Sequence, residues 1–291
     1  MKVTGFTIIR NAILFDYPVV ESIRSALPVC DNFIVAVGKS EDDTLQLIQS
    51  IKSEKIKIIK TEWDLSKRSG GSLLADETNK AFDAIDEDSD WCFYIQSDEV
   101  LHEKYHATVR RAMRSYQDNK KVDGLLLNYL HFYGSYDYVG DSRTWYRKEI
   151  RIIKNNKNIR SYKDAQGFRT VKDKKLKVKQ VNATMYHYGW VKPPDKQLKK
   201  LENFHKMWHN DEGVKKRIGN AETFDYSNIG FLKVFEGTHP KAMEARIKQK
   251  NWHFEHDISS KTFSLKTRFL YWFEKKTGIR IGEYKNYTLL K

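Results

Sequence analysis

Cysteine is scarce in this sequence and long apolar runs are missing, and each shortage closes a class of function. Two cysteines in 291 residues, Cys30 and Cys92, cannot build a disulfide scaffold or a four-cysteine zinc site. They suit a reducing, cytoplasmic compartment. No apolar stretch reaches the ~18 residues of a membrane span, and the opening MKVTGFTIIRNAILFDYP is broken too early to read as a signal peptide. The Walker loop and GxGxxG are missing, as are CxxC pairs and the GxSxG elbow. There is no internal repeat, low-complexity stretch or clear linker.

What is present is a packed, charged chain. Aromatics make up 13% of it, too many for a disordered segment. The net charge of +14 is unevenly placed: residues 1–140 carry 17 Lys/Arg and 22 Asp/Glu, and the remainder 35 and 16. The basic half favours anionic partners such as phosphorylated substrates or an anionic membrane face. Its basic residues are scattered and no RNA- or DNA-binding motif occurs, so no nucleic acid is expected.

Apolar runs at Val3–Ile9, 33–37, 56–59, 91–95 and 125–129 read as strands. Helix signals fall between the first four. Pro18 sits in a first turn, Ser40-Glu41-Asp42-Asp43 offers a cap and first-turn acids, and Leu74, Thr78, Ala81 and Ile85 share one helical face. Such alternation predicts an α/β fold, with a mostly parallel sheet covered on both faces. Ligands in such sheets sit at the carboxyl ends of strands. Further on, 149–154 and 181–188 read as strands and 155–179 as a polar, basic loop. Helices are expected at 196–209, near 240–250 and at 263–276. The last of these is basic and amphipathic, with Leu265, Phe269, Trp272 and Phe273 on one face. It reads as docked on the protein body or a second subunit, or as a foot on an anionic membrane.

Four constellations carry chemistry. Gln96-Ser97-Asp98-Glu99 follows an apolar strand, where a carboxylate can hold a divalent cation against a diphosphate; the plainer role of Asp98 is a helix cap. His187, in Met185-Tyr186-His187-Tyr188-Gly189-Trp190, is a second metal-ligand candidate or a hydrogen-bonded core histidine. Lys67-Arg68-Ser69-Gly70-Gly71-Ser72 precedes a helix and suits phosphate, or is an exposed loop. Asp164, on a loop with aromatics and Arg169 nearby, suits a general base or a solvated turn.

In order along the chain, these segments resemble the family 2 glycosyltransferases of GT-A fold. The likeness runs through Ile8-Ile9-Arg10-Asn11, Tyr17-Pro18, Glu21-Ser22-Ile23-Arg24-Ser25, and the stretch Val35 to Thr44 with its S-x-D-x-T. It continues at Ala75-Asp76-Glu77-Thr78-Asn79-Lys80-Ala81, where the family has A-R-N-x-G, and at Asp90-Trp91 to Asp98-Glu99, where it has D-x-D. It covers the first 100 residues and, more loosely, extends to Trp190. Gln96 stands where the family has its first D-x-D acid, and Gly38 and Lys39 replace acids after the second strand.

The resemblance implies a GT-A domain over residues 1–210, with a nucleotide half at about 1–100 and an acceptor half at 101–210. A basic, largely helical extension follows at 211–291. It implies inverting sugar transfer from a UDP- or GDP-linked donor to a glycan or lipid-linked acceptor, with Mn²⁺ or Mg²⁺ as cofactor. By position, Asp98 and His187 would hold the metal. Arg10, Asn11, Asp42, Arg68, Asn79, Gln96 and Ser97 would face the nucleotide sugar. Asp164 would be the base, with Asp141, Glu149 and Asp173 as neighbouring acids, and Trp145, Tyr146 and Trp190 would meet the acceptor. The expected location is cytoplasmic, with peripheral contact at the inner membrane face. The alternatives are a nucleotidyltransferase, or a basic protein that binds nucleic acid.

Overall fold

A computed structural model describes residues 1–67, 70–227, 229, 231–258 and 265–291. Arg68, one of the expected nucleotide contacts, lies outside the described residues. The strands β1 (Val3–Ile9), β2 (Asn32–Gly38), β3 (Ile56–Thr61) and β4 (Trp91–Tyr94) are parallel and lie in the order β3-β2-β1-β4. Every residue of β1 and β4 is buried, as the centre of a sheet covered on both faces requires.

Alternate side chains go to opposite faces. Val3, Ile9, Phe33, Val35 and Val37 pack with α1 (Val19–Ala26) and α4 (His106–Ser115). Phe6, Ile34, Ala36, Cys92 and Tyr94 pack with α3 (Ser72–Asp83). This period of two is what lets one sheet carry two cores. Cys30 and Cys92 are both buried and unbridged, and burial pushes both thiols far above the ordinary cysteine range.

The expected α/β class holds, and the sheet continues with mixed polarity. The short β5 (Glu99–Leu101) follows β4, and β6 (Gly124–Tyr133), β7 (Ser135–Gly140) and β8 (Lys148–Lys154) come after α4. The antiparallel strand β8 is inserted between β4 and β6. The 15-residue β11 (Leu176–Trp190) runs parallel to β6 along its other edge. It also pairs antiparallel with β5, which sets His187 opposite Glu99.

Residues 155–179 are not only loop. They contain β9 (Ile159–Tyr162) and β10 (Gly167–Thr170), paired antiparallel. The anchor is Phe168, fully buried against Phe6 and Tyr94, an apolar residue that a polar average conceals.

Helix α5 (Pro194–Lys206) then crosses the sheet's carboxyl end. Beyond residue 210 lie α6 (Asp211–Ile218), α7 (Glu244–Lys248) and α8 (Leu265–Thr277). Two short strands return to the main sheet: β12 (Leu232–Val234) pairs with β7, and β13 (Tyr287–Leu289) with β11. Helix α8 is fastened through its polar side, by Tyr271 and Lys275 to Asp141 and by Glu274 to Arg143 and Arg280. Of the four residues on its apolar face, Leu265, Phe269 and Trp272 are exposed by 82, 57 and 56%. No described helix is long and apolar enough to cross a membrane.

Candidate active site

The carboxyl ends of β1 and β4 open into a cavity of about 450 Å³. Arg10 enters it from the end of β1, and Gln96, Ser97 and Asp98 from the end of β4. The end of β11 adds His187 and Trp190, and the β9–β10 turn adds Asp164, Ala165 and Gln166. Helix α5 closes the opposite wall with Lys200, Asn203, Phe204 and Met207, an i, i+3, i+4, i+7 face.

Asp98 is the most heavily engaged of these. It is 8% exposed, and its carboxylate lies 3.0 Å from the Lys200 ammonium and 3.7 Å from His187 Nε2. Burial, the largest single influence, works to raise its pKa, but the charge and hydrogen bond of Lys200 together with the neighbouring His187 and Lys192 hold the carboxyl below its ordinary range. Lys200 also donates to the Gly189 carbonyl at 2.9 Å. Its own pKa is raised, since Asp98 overcomes the opposing effect of burial. Gly189 makes the arrangement possible: a Cβ there would lie 2.7 Å from both Asp98 Oδ2 and His187 Nε2.

Hydrogen bonding fixes the tautomer of His187. His131 Nε2 faces the Tyr146 carbonyl at 2.8 Å, so this nitrogen donates. Burial brings the His131 pKa down to about 3 and also lowers that of His187, so both rings are neutral at pH 7. His131 Nδ1 is then an acceptor, and its 3.2 Å partner, His187 Nδ1, donates to it. The lone pair of His187 therefore sits on Nε2, facing Asp98. A carboxylate oxygen and an imidazole lone pair at 3.7 Å, with no proton between them, are a donor set that fits a divalent cation. No group of three or more such ligands gathers among the described residues, so two donors are what this part of the chain supplies.

Beneath this turn lies a buried ion pair. Arg151 and Glu99 are both fully buried and joined by bonds of 2.8 and 2.7 Å. Glu99 also accepts from Tyr129 Oη at 2.7 Å and from the Gln96 backbone N–H at 3.0 Å. Arg151 donates to the Gln166 carbonyl at 2.7 Å. One ion pair thus ties the β4 end to the turn that bears Asp164.

The remaining expected residues divide. Arg10, Gln96, Ser97, Asp98, Asp164, His187, Tyr146 and Trp190 line the cavity. Asn11, Asp42 and Asn79 do not, because backbone groups occupy their side chains. Asn11 accepts from the Glu41 N–H and Asp42 from the Leu14 N–H, while Asn79 bonds both ways with Ser161. Trp145 stacks on His131 and lines a second cavity of about 390 Å³. Tyr146, Asp164 and Gln166 line both cavities, which meet there. Of the neighbouring acids, Asp141 is held by Lys275 and Tyr271, and Asp173 projects outward with its side chain 84% exposed. Glu149 lines the second cavity. Lys200 was not foreseen: the helix is legible in the sequence, but its crossing over the strand ends is not.

Glu149 is buried, and its Oε2 has no hydrogen-bond partner among the described residues. Burial pushes its pKa from 4.5 up to about 7. The folded chain therefore binds a proton more tightly than the unfolded one. That contribution is complete below pH 4.5 and is lost as the pH rises through 7. Glu149→Gln removes the loss. Between pH 5 and 8, urea unfolding should shift in favour of the variant by roughly 2–3 kcal/mol relative to the parent. Parallel pH profiles would place Glu149 in an ordinary solvated setting.

No family model and no curated protein matches this sequence. Among solved structures, the chain is similar to Staphylococcus aureus TarS at 14% identity, covering 69% of this chain and 38% of that one, with a TM-score of 0.39. It is similar to glucosyl-3-phosphoglycerate synthase from Mycobacterium tuberculosis, crystallised with Mn²⁺, UDP and phosphoglyceric acid, at 14% identity, 45% and 43% coverage and TM-score 0.31. It is also similar to 4-diphosphocytidyl-2C-methyl-D-erythritol synthase from Anaerococcus prevotii, at 12% identity, 53% and 70% coverage and TM-score 0.33. The chain spans well under half of TarS, and at 12–14% identity the chemistry of the cleft has to come from its own side chains.

Proposed function

We propose that the chain is a glycosyltransferase that moves a sugar, with inversion, from a UDP- or GDP-linked donor to a hydroxyl of a glycan or lipid-linked acceptor. The observation that carries this is the pairing of Asp98 with the His187 lone pair in a cleft at the strand ends, with Asp164 where that cleft meets a second cavity. Asp98 and His187 would hold Mn²⁺ or Mg²⁺. A divalent cation, when bound, offsets the charge that develops on a departing diphosphate. Arg10 and Lys200 add positive charge from facing walls of the cleft. Gln96 lines the same cavity, its amide held between the Ala165 carbonyl and Arg151.

The donor occupies the first cavity and the acceptor enters from the second, between Trp145, Tyr146 and Glu149. Asp164 takes the proton of the acceptor hydroxyl as that oxygen bonds to the anomeric carbon. The bond from that carbon to the diphosphate breaks from the opposite face.

The test is a panel of UDP- and GDP-sugars with Mn²⁺, monitored for nucleoside diphosphate. One donor should release its diphosphate, faster with an acceptor present and at least tenfold slower after chelation. Consumption of nucleoside triphosphates with pyrophosphate release would instead identify a nucleotidyltransferase.

The same reading places a peripheral membrane contact on α8. Leu265, Phe269 and Trp272 are exposed there beside the exposed Lys266, Arg268 and Lys276. The protein should sediment with phosphatidylglycerol vesicles and not with phosphatidylcholine, and Trp272→Asp should weaken the association. Indifference to lipid charge and to that substitution would remove the contact.

A further inference from the structure

Lys200 sits on the very carboxylate that the cation needs. Its ammonium is 3.0 Å from Asp98 Oδ2 and 2.9 Å from the Gly189 carbonyl, and it lies 5.0 Å over the Tyr17 ring. It reaches this position from α5, through a side chain only 17% exposed. The contact is therefore built into the wall of the donor cavity and is not a surface pair. A second amine, on Lys192, shares the Tyr17 ring at 4.5 Å and donates to the Phe15 carbonyl at 2.7 Å, with burial holding its pKa well below the ordinary lysine range. The Lys200 charge already satisfies the Asp98 side of the site. A divalent cation arriving alone would meet a carboxylate neutralised by Lys200, together with the repulsion of that fixed charge at short range, between two largely buried side chains.

We propose that Lys200 makes cation uptake conditional on the nucleotide, by acting as the internal counter-ion of Asp98 until a diphosphate arrives to accept its ammonium. This rests on the transferase reading given above. The ammonium lines the same cavity as Arg10 and is carried by a flexible four-carbon stem. A diphosphate is the better partner for it, with more charge and more acceptor oxygens than one carboxylate. Once Lys200 turns to the diphosphate, Asp98 is free beside the His187 lone pair. Nucleotide and cation then enter as a coupled pair, and each raises the affinity of the other. Lys200 is a positioning residue here, since it acts on the cation through Asp98.

The test is Mn²⁺ binding to the full chain, read by electron paramagnetic resonance with and without UDP. Wild type should bind Mn²⁺ weakly alone and at least about tenfold more tightly with saturating UDP. Lys200→Met keeps the stem and removes the charge. It should bind Mn²⁺ alone at least about tenfold more tightly than wild type and lose most of the gain from UDP. Lys200→Arg should retain the wild-type pattern. If Lys200→Met fails to fold, Lys200→Gln serves for the same comparison. Equal Mn²⁺ affinity of wild type and the neutral variants without UDP overturns the proposal. So does absence of Mn²⁺ binding by the neutral variants under both conditions. Failure of wild type to bind either UDP or GDP, followed by tryptophan fluorescence, would instead overturn the transferase reading itself.

Discussion

Asp98→Asn should lower the proposed sugar transfer by at least about a hundredfold while the chain stays folded. The substitution keeps the size of the side chain and removes its charge. Loss of a group aimed at developing charge in a closed site costs on the order of 10²–10³ in rate. It also leaves the Lys200 ammonium, held at 3.0 Å, without its counter-ion. Stability should fall as well, by up to about 3 kcal/mol, because an unpaired buried charge is costly. The two effects separate in the double variant Asp98→Asn with Lys200→Met. Thermal unfolding should recover in the double variant, and turnover should not. Turnover within threefold of wild type in Asp98→Asn would remove Asp98 from the chemistry.

Arg151→Met is expected to destabilise the fold by about 3–5 kcal/mol, the cost of stranding one member of a buried ion pair. Glu99 would remain fully buried with only Tyr129 and the Gln96 N–H as partners. Removing both charges, as Glu99→Gln with Arg151→Met, should return most of that loss. Urea unfolding of the two single variants and the double variant measures this directly. Activity should not return with stability, because Arg151 also holds the Gln166 carbonyl on the turn that carries Asp164. An Arg151→Met variant as stable as the parent would mean that the pair is solvated.

The first hundred residues are legible because their signals are local. Val3–Ile9 and Phe33–Val37 are apolar runs of strand length, and Pro18 immediately precedes a helix; after Ser40–Asp43 the helix starts only at Thr44, so Ser40 is not its cap and the acids stand ahead of its first turn. Asp98 was legible for the same reason: it follows such a run. What sequence conceals is pairing between distant segments. Nothing in Glu149–Lys154 says that it enters the sheet between β4 and β6 and reverses the polarity. Asn11, Asp42 and Asn79 have suitable side chains in suitable places, but backbone groups take up their hydrogen bonds first, and no spacing rule shows that. No expectation attached to α4, although it is amphipathic, with Val109 and Met113 buried. On α8 the apolar stripe is legible but which face docks is not: Glu274, bonded or ion-paired to Arg143, Arg147 and Arg280, draws the polar side inward.

The burial of both thiols leaves the outside of the molecule blank to maleimide chemistry, since Cys30 and Cys92 are the only cysteines in the sequence. A single cysteine introduced at Lys163, exposed at the rim of the second cavity, would then be the one reactive position. A fluorophore attached there would report optically on anything entering that cavity, in a protein that needs no background mutations to be labelled cleanly.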